Sequence, residues 1–533
     1  MTVSVAGVPA SRKTPGVNFN VVLGGSGTSA GSAAKRINIL GNMVGSTISG
    51  ASPSFSVAAG TAALATPVFV PSSDDAATLF GYGSELHRMS VAVFAQFPDA
   101  TLYACPVAEA SGTKASVVVT FATTSTAAFT VRLRLCGLTI DVGVESGASA
   151  TTIAAAVADA INDRPVLPYT AQNSSGAVTI TAKHAGPRGS TLVVDAYFVS
   201  STGAETRITT SSTSSGAATT GQWSSNGTVG SEIALTSGAT QDDFTAALAA
   251  IEPQRYDRIV GACIDATNIA LIVTHVNSQA GPTVQLLEQA VVGSTDTYAN
   301  AVTLATGRNA SRLQVAWNHA TVIPCWEVAA QLCAARLAGD SSAGGARVGE
   351  SVDPAANLDG IELASVLMAR VVGDQPTATE IENALNNGVT PVGASRSRPG
   401  YGMIVRSITS RSLLSGTPNY AVLDTSSVTV PDHVADYLRS DLATTFAGCK
   451  VASNSSDGTP PRIANVVTPN IIRAHIGQRL QEMENDGILR DVEANMPNLV
   501  VEEDSGTPGR VNCEIPAEVI PGLHIVAGNI RQL

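Results

Sequence analysis

Charged side chains are scarce in this chain, aromatic ones scarcer, and long apolar runs are absent. Of 533 residues only 14% are charged and 4% aromatic while 44% are hydrophobic, so the apolar content is mostly Ala, Val, Leu and Ile, which suits close packing of small side chains. There is no Lys/Arg run that could track a phosphate backbone, and 43 acidic against 31 basic residues give a net charge of −12; direct nucleic-acid binding is not expected. No stretch reaches the roughly 18 uninterrupted apolar residues of a membrane span. The opening MTVSVAGVPASRKTPG has no apolar core ahead of a cleavage site. We expect no membrane insertion and no export signal.

Metal and disulfide chemistry are absent in the same way. Cys105, Cys136, Cys263, Cys325, Cys333, Cys449 and Cys513 are scattered, odd in number and never spaced C-x-x-C, which suggests neither a zinc site nor a disulfide framework and places folding in a reducing compartment. The seven histidines show no H-E-x-x-H or other metal spacing. No metal and no cofactor is expected. The Asn-x-Ser/Thr sites at Asn173, Asn226, Asn309 and Asn454 read as chance matches in a Ser/Thr-rich chain.

What is present begins with two strand-like termini. After Pro15-Gly16, Val17, Phe19 and Val21 alternate with Asn18, Asn20 and Val22, and a glycine-rich stretch containing Gly24, Gly25, Gly27 and Gly31 separates this arm from INILGNMV. From Val511 the chain is apolar and proline-punctuated, and Leu523, Ile525 and Ala527 alternate with His524, Val526 and Gly528. Nothing follows in sequence that could pair with it.

Between the termini the pattern changes several times. Ser72–Asp75 can cap a helix running through Leu79 and Phe80, and ATLYACPV reads as a buried strand. From about 109 to 235 the composition shifts to Ser, Thr, Ala and Gly, with strand-like runs ASVVVTFA, FTVRLRLCGLTIDVGV, GAVTITAK and STLVVDAYFV and one helix, ATTIAAAVADAIND. This predicts an inserted, mainly β domain ending in a low-complexity linker. After Gly238 short apolar strands alternate with helices: QDDFTAALAAI, YDRIVGACID, TNIALIVTHVNSQ, QAVVGS, TDTYANAVTLAT, SRLQVAWN, WEVAAQLCAARLA. Such alternation predicts a doubly wound α/β core with a parallel sheet covered on both faces.

The division we expect is a strand arm and hinge over 1–25, a first core segment over 26–108, the insert over 109–235, a second core segment over 236–410, an α+β C-terminal domain over 411–509 and a strand arm over 510–533. In the helix TPNIIRAHIGQRLQEMENDGIL, Ile472, Ile476, Leu480 and Met483 form one apolar stripe; Arg473, Arg479, Glu482 and Glu484 are expected on its wet face.

Catalytic candidates are weak. GTSAG at 27–31 matches G-x-S-x-G with Ser29 as nucleophile, but the helix the motif requires does not follow, and a flexible hinge explains the glycines better. Neither a G-K-[ST] ending nor a Rossmann fingerprint accompanies the glycines. Asp257, Asp265 and Asp296 lie near strand ends, where α/β enzymes place catalytic groups, yet at such junctions they more often cap helices. We expect no catalytic residues.

EIENALNNGVTPV, VRSITSRS, TPNIIRAHIGQRLQEMENDGIL and GRVNCEIPAEVIPGLHIVAGNIRQL, in that order and spacing, resemble the C-terminal half of contractile-tail sheath proteins of Mu-like myophages. The resemblance extends over most of 236–533, and the N-terminal arm fits it; the insert is only loosely similar to the variable outer domains of such sheaths. It implies a core that is subtilisin-like in topology and not proteolytic, since the Asp, His, Ser order cannot be placed here. It also implies terminal strands exchanged between neighbouring subunits, which gives Val17, Phe19, Val21, Leu523, Ile525, Ala527 and Ile530 an inter-subunit role, and Gly24, Gly25, Gly27 and Gly31 a hinge role.

The function implied is that of a virion structural subunit, made and assembled in the bacterial host cytoplasm. It polymerises helically around a tail tube and contracts to drive the tube through the host envelope. Its partners would be further copies of itself, the tail tube protein, the baseplate and the tail terminator. The helix bearing Arg473, Arg479, Glu482 and Glu484 is a candidate tube-facing or inter-subunit surface, its alternative being an ordinary solvated face. The competing readings are another virion tube or surface protein and an α/β-fold hydrolase.

Overall fold

The computed structural model describes residues 35–121, 124–207, 223–225, 228–229, 233–341, 353–454, 465–529 and 531. Val17, Phe19, Val21, the glycines at 24, 25, 27 and 31, Ser29 and Ile530 lie outside the described residues.

The expected mixed α/β architecture with several sheets is present. Its centre is a nine-stranded sheet in which six neighbouring strands run parallel: Thr101–Val107, Arg36–Asn42, Arg258–Gly261, Gln289–Ser294, Leu313–Trp317 and Thr390–Ala394. Val68–Val70 at one side and Tyr401–Ile404 with Glu362–Leu367 at the other are antiparallel additions. Apolar residues on both sides of each strand explain why the sheet needs two helical layers. Ile37, Ile39, Val260, Val291 and Ala316 face helices Glu85–Gln96 and Cys325–Ser341 in one core. Leu40, Ile259, Val292, Val315 and Trp317 face Thr245–Ile251, Ala266–Gln279, Tyr298–Arg308 and Ala378–Asn386 in the other. Helix Cys325–Ser341 lies so close to the sheet that a Cβ on Gly293 would fall 1.9 Å from the Cys325 carbonyl oxygen; only glycine fits there.

Two further sheets come from the insert. One joins Lys114–Phe121, Ala177–Ala185, Tyr169–Ser174 and Trp223–Ser225, and the other is built on Phe129–Leu135, Leu138–Val144 and Val193–Ser200. The run FTVRLRLCGLTIDVGV is therefore not one strand. Cys136 and Gly137, both with positive φ, break it into a hairpin with a two-residue turn. Helix Ala150–Asn162 buries Ile153, Val157 and Ile161 in the same core.

Buried ion pairs hold the insert on the core. Arg188 (2% exposed) pairs with Glu85 and Asp242 (4% each); Asn42 donates its backbone N–H to Glu85 at 2.9 Å and its side-chain amide to Asp242 at 3.0 Å. Asp242 also accepts the Ala110 N–H at 2.6 Å, so the chain entering the insert and the chain leaving it meet at one carboxylate. Arg88 pairs with Glu327 in the core and donates to the Val166 carbonyl of the insert at 3.0 Å.

Helix Glu85–Gln96 opens on Ser84, whose hydroxyl accepts the His87 N–H, while His87 Nδ1 accepts the Gly83 N–H at 3.0 Å. Burial, helped by Arg88 and Lys183, lowers the His87 pKa from 6.5 to about 4. Between those values the unfolded chain binds the proton that the folded chain excludes. Stability from this residue thus falls as pH drops from 6.5 to about 4 and levels off below. The full loss is about 3 kcal/mol. His87→Gln should flatten that part of the urea-midpoint profile against pH; an unchanged slope would remove His87 from it.

The C-terminal domain has its own core. Helices Ser426–Thr445 and Pro469–Asn485 pack through Val434, Leu438, Leu442, Ile472, Ile476, Leu480 and Met483, as the apolar stripe predicted for the second helix. The hairpin Val500–Glu503/Val511–Glu514 covers this cluster with Val501, Val511 and Cys513. Its attachment to the central sheet is polar. Arg312, just before strand Leu313–Trp317, makes two hydrogen bonds with Asp432 at 2.7 and 2.6 Å, and Arg255 pairs with Asp436 at 2.5 Å.

Candidate assembly surfaces

The path of the C-terminal tail decides which residues are available to another molecule. Val511–Glu514 pairs with Val500–Glu503 of the same chain, so the expectation that everything from Val511 onward lacks a partner is corrected for those four residues. Asp504–Gly509, DSGTPG, is the turn that makes this possible; it has the composition of a hairpin loop between two short β-prone runs. Ile515 and Ala517 continue over the domain core, Val519 is buried in a bridge to Leu489, and Glu518 pairs with Arg490 at 2.5 Å.

Beyond Val519 the character changes. Leu523, Ile525 and Val526 are 75%, 80% and 82% exposed, Ala527 is exposed, and no strand of this chain pairs with them among the described residues. Three large apolar side chains in water within four residues, on a segment that pairs with no strand among the described residues, suit a surface for another molecule.

The sheets differ in what edge they offer. At the Glu362–Leu367 edge of the central sheet, Gln96 bonds the Glu362 carbonyl at 3.2 Å and the Ala364 N–H at 2.8 Å; Gln331 accepts the N–H groups of Ser365 and Val366 at 3.0 Å each. Side chains already occupy that edge. The opposite edge, Val68–Val70, is three residues long between Pro67 and Pro71. The insert edge Leu138–Val144 carries Asp141, paired with Arg132 at 2.6 Å, and a charged edge residue resists a further strand. The hairpin of the C-terminal domain carries charge too, at Glu502, Glu503 and Glu514, but neither proline nor a side chain bonded along its backbone closes it, and both its outer edges lack a third strand among the described residues.

The helix Pro469–Asn485 differs from expectation on its polar side. Arg473, Arg479, Glu482 and Glu484 are half-buried, not exposed, because each is bonded within the domain. Arg473 donates to the carbonyls of Leu499 and Met496 at 2.8 Å. Arg479 bridges Asp441 at 3.0 Å and Glu482 at 2.7 Å, and Glu484 accepts the Val492 N–H at 3.1 Å. The residues left facing water on this helix are Asn470, Ala474, Gln478, Gln481 and Asn485.

The enzyme alternative meets a cleft but little chemistry. A space of about 730 Å³ opens where several parallel strands end, lined by Ile264, Ser294, Asp296, Asn300, Arg308 and Cys325 among others, the usual place for a ligand in an α/β fold. Asp296 spends its oxygens on the Thr297 N–H and the Asn300 amide, and Asp265 caps helix Ala266–Gln279, as the capping alternative expected. Asp257 accepts from the Arg36 N–H at 2.9 Å and Arg255 at 3.1 Å. Burial raises the Cys325 thiol pKa to about 12, which keeps it protonated and unreactive. Among the described residues no His/Cys/Asp/Glu group could hold a metal, and no helix is long and apolar enough to cross a membrane.

Residues 421–532 match the phage tail sheath C-terminal domain. Over 477 residues the chain is 23% identical to the Mu-like prophage FluMu tail sheath protein of Haemophilus influenzae, covering 89% of this chain and 91% of the relative. Among solved structures it is similar to a sheath tail protein of Desulfitobacterium hafniense (14% identity, 89% and 91% of the two chains, TM-score 0.44) and to one of Listeria innocua (11%, 90% and 91%, TM-score 0.45). The two sequence findings bear out the resemblance to the phage tail sheath family: the chain is a relative of a Mu-like prophage tail sheath protein over nine-tenths of its length, and its C-terminal part carries that family's domain.

Proposed function

We propose that this chain is the repeating subunit of a contractile tail sheath. It polymerises helically around a tail tube by exchange of terminal β-strands and shortens to drive the tube through the host envelope. The observation that carries the reading is the pairing of a bare apolar tail with a two-stranded sheet open at both edges, in a molecule whose central sheet edges are blocked. A tail that added to the hairpin of a second copy would satisfy backbone groups on both sides. Burying each large apolar side chain contributes roughly 1.5–3 kcal/mol, whereas ordering the tail costs about 1–2 kcal/mol per residue. One arm alone therefore binds weakly. Two arms per subunit make each later contact intramolecular, which renders polymerisation cooperative. Head-to-tail contacts that do not close give an open helix.

In this reading the N-terminal arm with Val17, Phe19 and Val21 supplies the second strand, Gly24, Gly25, Gly27 and Gly31 form its hinge, and Ile530 extends the C-terminal strand. The core keeps a subtilisin-like topology without its chemistry. Contraction is a rigid-body change of lattice powered by conformational free energy stored at assembly, triggered by the baseplate and bounded by the tail terminator. The helix Pro469–Asn485 would meet the tube or a neighbour through Gln478 and Gln481, since Arg479 is occupied by Asp441. Assembly takes place in the host cytoplasm and the product is part of the virion.

A synthetic peptide of residues 520–533 tests strand exchange directly. In excess over the protein it should compete for the hairpin edge and lower the sedimenting, polymerised fraction, while a scrambled peptide does not. Equal polymer with both peptides would count against exchange through this tail.

A further inference from the structure

We propose that His524 anchors the C-terminal arm to its own subunit, so that the strand passed to a second copy of this chain is the short segment beyond it, residues 525–533. The inference rests on the arm-exchange reading above and adds where the exchanged segment begins. His524 Nδ1 lies 2.5 Å from Asp359 Oδ2 and its Nε2 lies 3.5 Å from Asp424 Oδ2. The two carboxylates come from different parts of the molecule: Asp359 precedes the edge strand Glu362–Leu367 of the central sheet, and Asp424 precedes helix Ser426–Thr445 of the C-terminal domain. Arg406 grips Asp424 through two hydrogen bonds at 2.8 and 2.9 Å, which fixes that carboxylate.

The backbone is held beside the ring. The Asn357 amide donates to the Leu523 carbonyl at 3.3 Å. A Cβ on Gly522 would lie 3.0 Å from the His524 ring and 3.2 Å from Asn357 Cγ, so the backbone passes close against both side chains. Exposure changes at the same point: Gly522 and His524 are half-buried, whereas Ile525 and Val526 are 80% and 82% exposed. The clasp holds the backbone and ring at 522–524 while the Leu523 side chain already faces water, and residues 525–529 are all exposed. Extended, residues 525–533 span about 30 Å, enough to reach an adjacent copy. An anchor at the joint of sheet and C-terminal domain also fixes the direction in which the strand leaves, so less of the arm has to be ordered when it docks.

The full-length protein with Asn357→Cys and Gly522→Cys tests whether the clasp lies within one chain, because the 3.2 Å approach is within disulfide reach. Light and ¹⁵N-labelled protein would be mixed as unfolded chains, refolded together, polymerised, oxidised and mapped by peptide mass spectrometry. We expect bridges between peptides of the same label only. Mixed-label bridges would mean that a neighbour's tail fills the clasp and would overturn the proposal, as would tubes without any bridge. Same-label bridges without tubes would leave the anchor standing and contradict the assembly reading alone. As an independent readout, His524→Ala should speed amide exchange at residues 522–526 of the unassembled subunit, by about fivefold at most for a partly exposed ion pair, and leave the hairpin unaffected. Unchanged exchange at 522–526 would overturn the anchor.

Discussion

Replacing Arg188 by Met should cost about 3–5 kcal/mol of folding stability, because it strips the partner from two carboxylates that cannot reach water. Arg188 is 2% exposed, and Glu85 and Asp242 are 4% exposed. The guanidinium donates Nε to Glu85 at 2.8 Å and also bonds Asp242. Burial disfavours its charge, but the two carboxylates outweigh burial and raise its pKa. The methionine fills much of the same volume, so the loss would be electrostatic and not a cavity. Removing the charges together tests that assignment: Arg188→Met with Glu85→Gln and Asp242→Asn should recover much of the stability, since the isolated anions are the expensive species. Chemical denaturation of the three proteins measures it. A loss below about 1 kcal/mol in the single variant would place this network in the class of weak surface pairs.

Asp432→Ala should have a comparable cost, about 3–5 kcal/mol, with a different signature. Arg312 and Asp432 are 5% and 7% exposed and joined by two hydrogen bonds, and Gln289 bonds the same carboxylate at 3.3 Å. This pair sits where helix Ser426–Thr445 meets the start of the parallel strands. The C-terminal domain keeps its own apolar cluster, separate from those on the two faces of the sheet. Losing Asp432 therefore uncouples two bodies without dissolving either. Calorimetry should resolve an early transition of one body ahead of the other, and proteolysis should cut first between 405 and 425. A single cooperative transition at the wild-type temperature would show that the joint does not depend on this pair.

Much of the fold was legible because periodicity and punctuation agree with burial. The helices at 73–80, 266–279, 325–341 and 469–485 and the strands at 258–261, 289–294 and 313–317 lie where the apolar patterns put them. Their neighbours in space were not legible. Arg188 stands in a Gly-Pro-Arg-Gly loop with nothing in its surroundings to mark it as the buried partner of residues 103 and 54 positions away. Arg473, Arg479, Glu482 and Glu484 lie off the apolar stripe, as read; helical spacing alone does not reveal that Asp441, Leu499 and Val492 would close over them. The candidate site was partly legible. Leu523, Ile525 and Ala527 are exposed, but so are Val526 and Gly528, so exposure does not follow the two-residue alternation, and the hairpin at 500–514 is not among the expected elements although DSGTPG between two β-prone runs signals it. The role of His524 depends on Asp359 and Asp424, 165 and 100 residues away, and no local pattern carries that information.

In the proposed function the subunit assembles through its terminal strand. Negative-stain electron microscopy of the full-length protein beside a chain ending at Ile520 measures this directly. Long hollow tubes from the full chain and dispersed particles from the shortened one are the predicted result. Tubes of equal length and number from both would contradict it, because the exposed Ile525 and Val526 would then contribute nothing to the lattice.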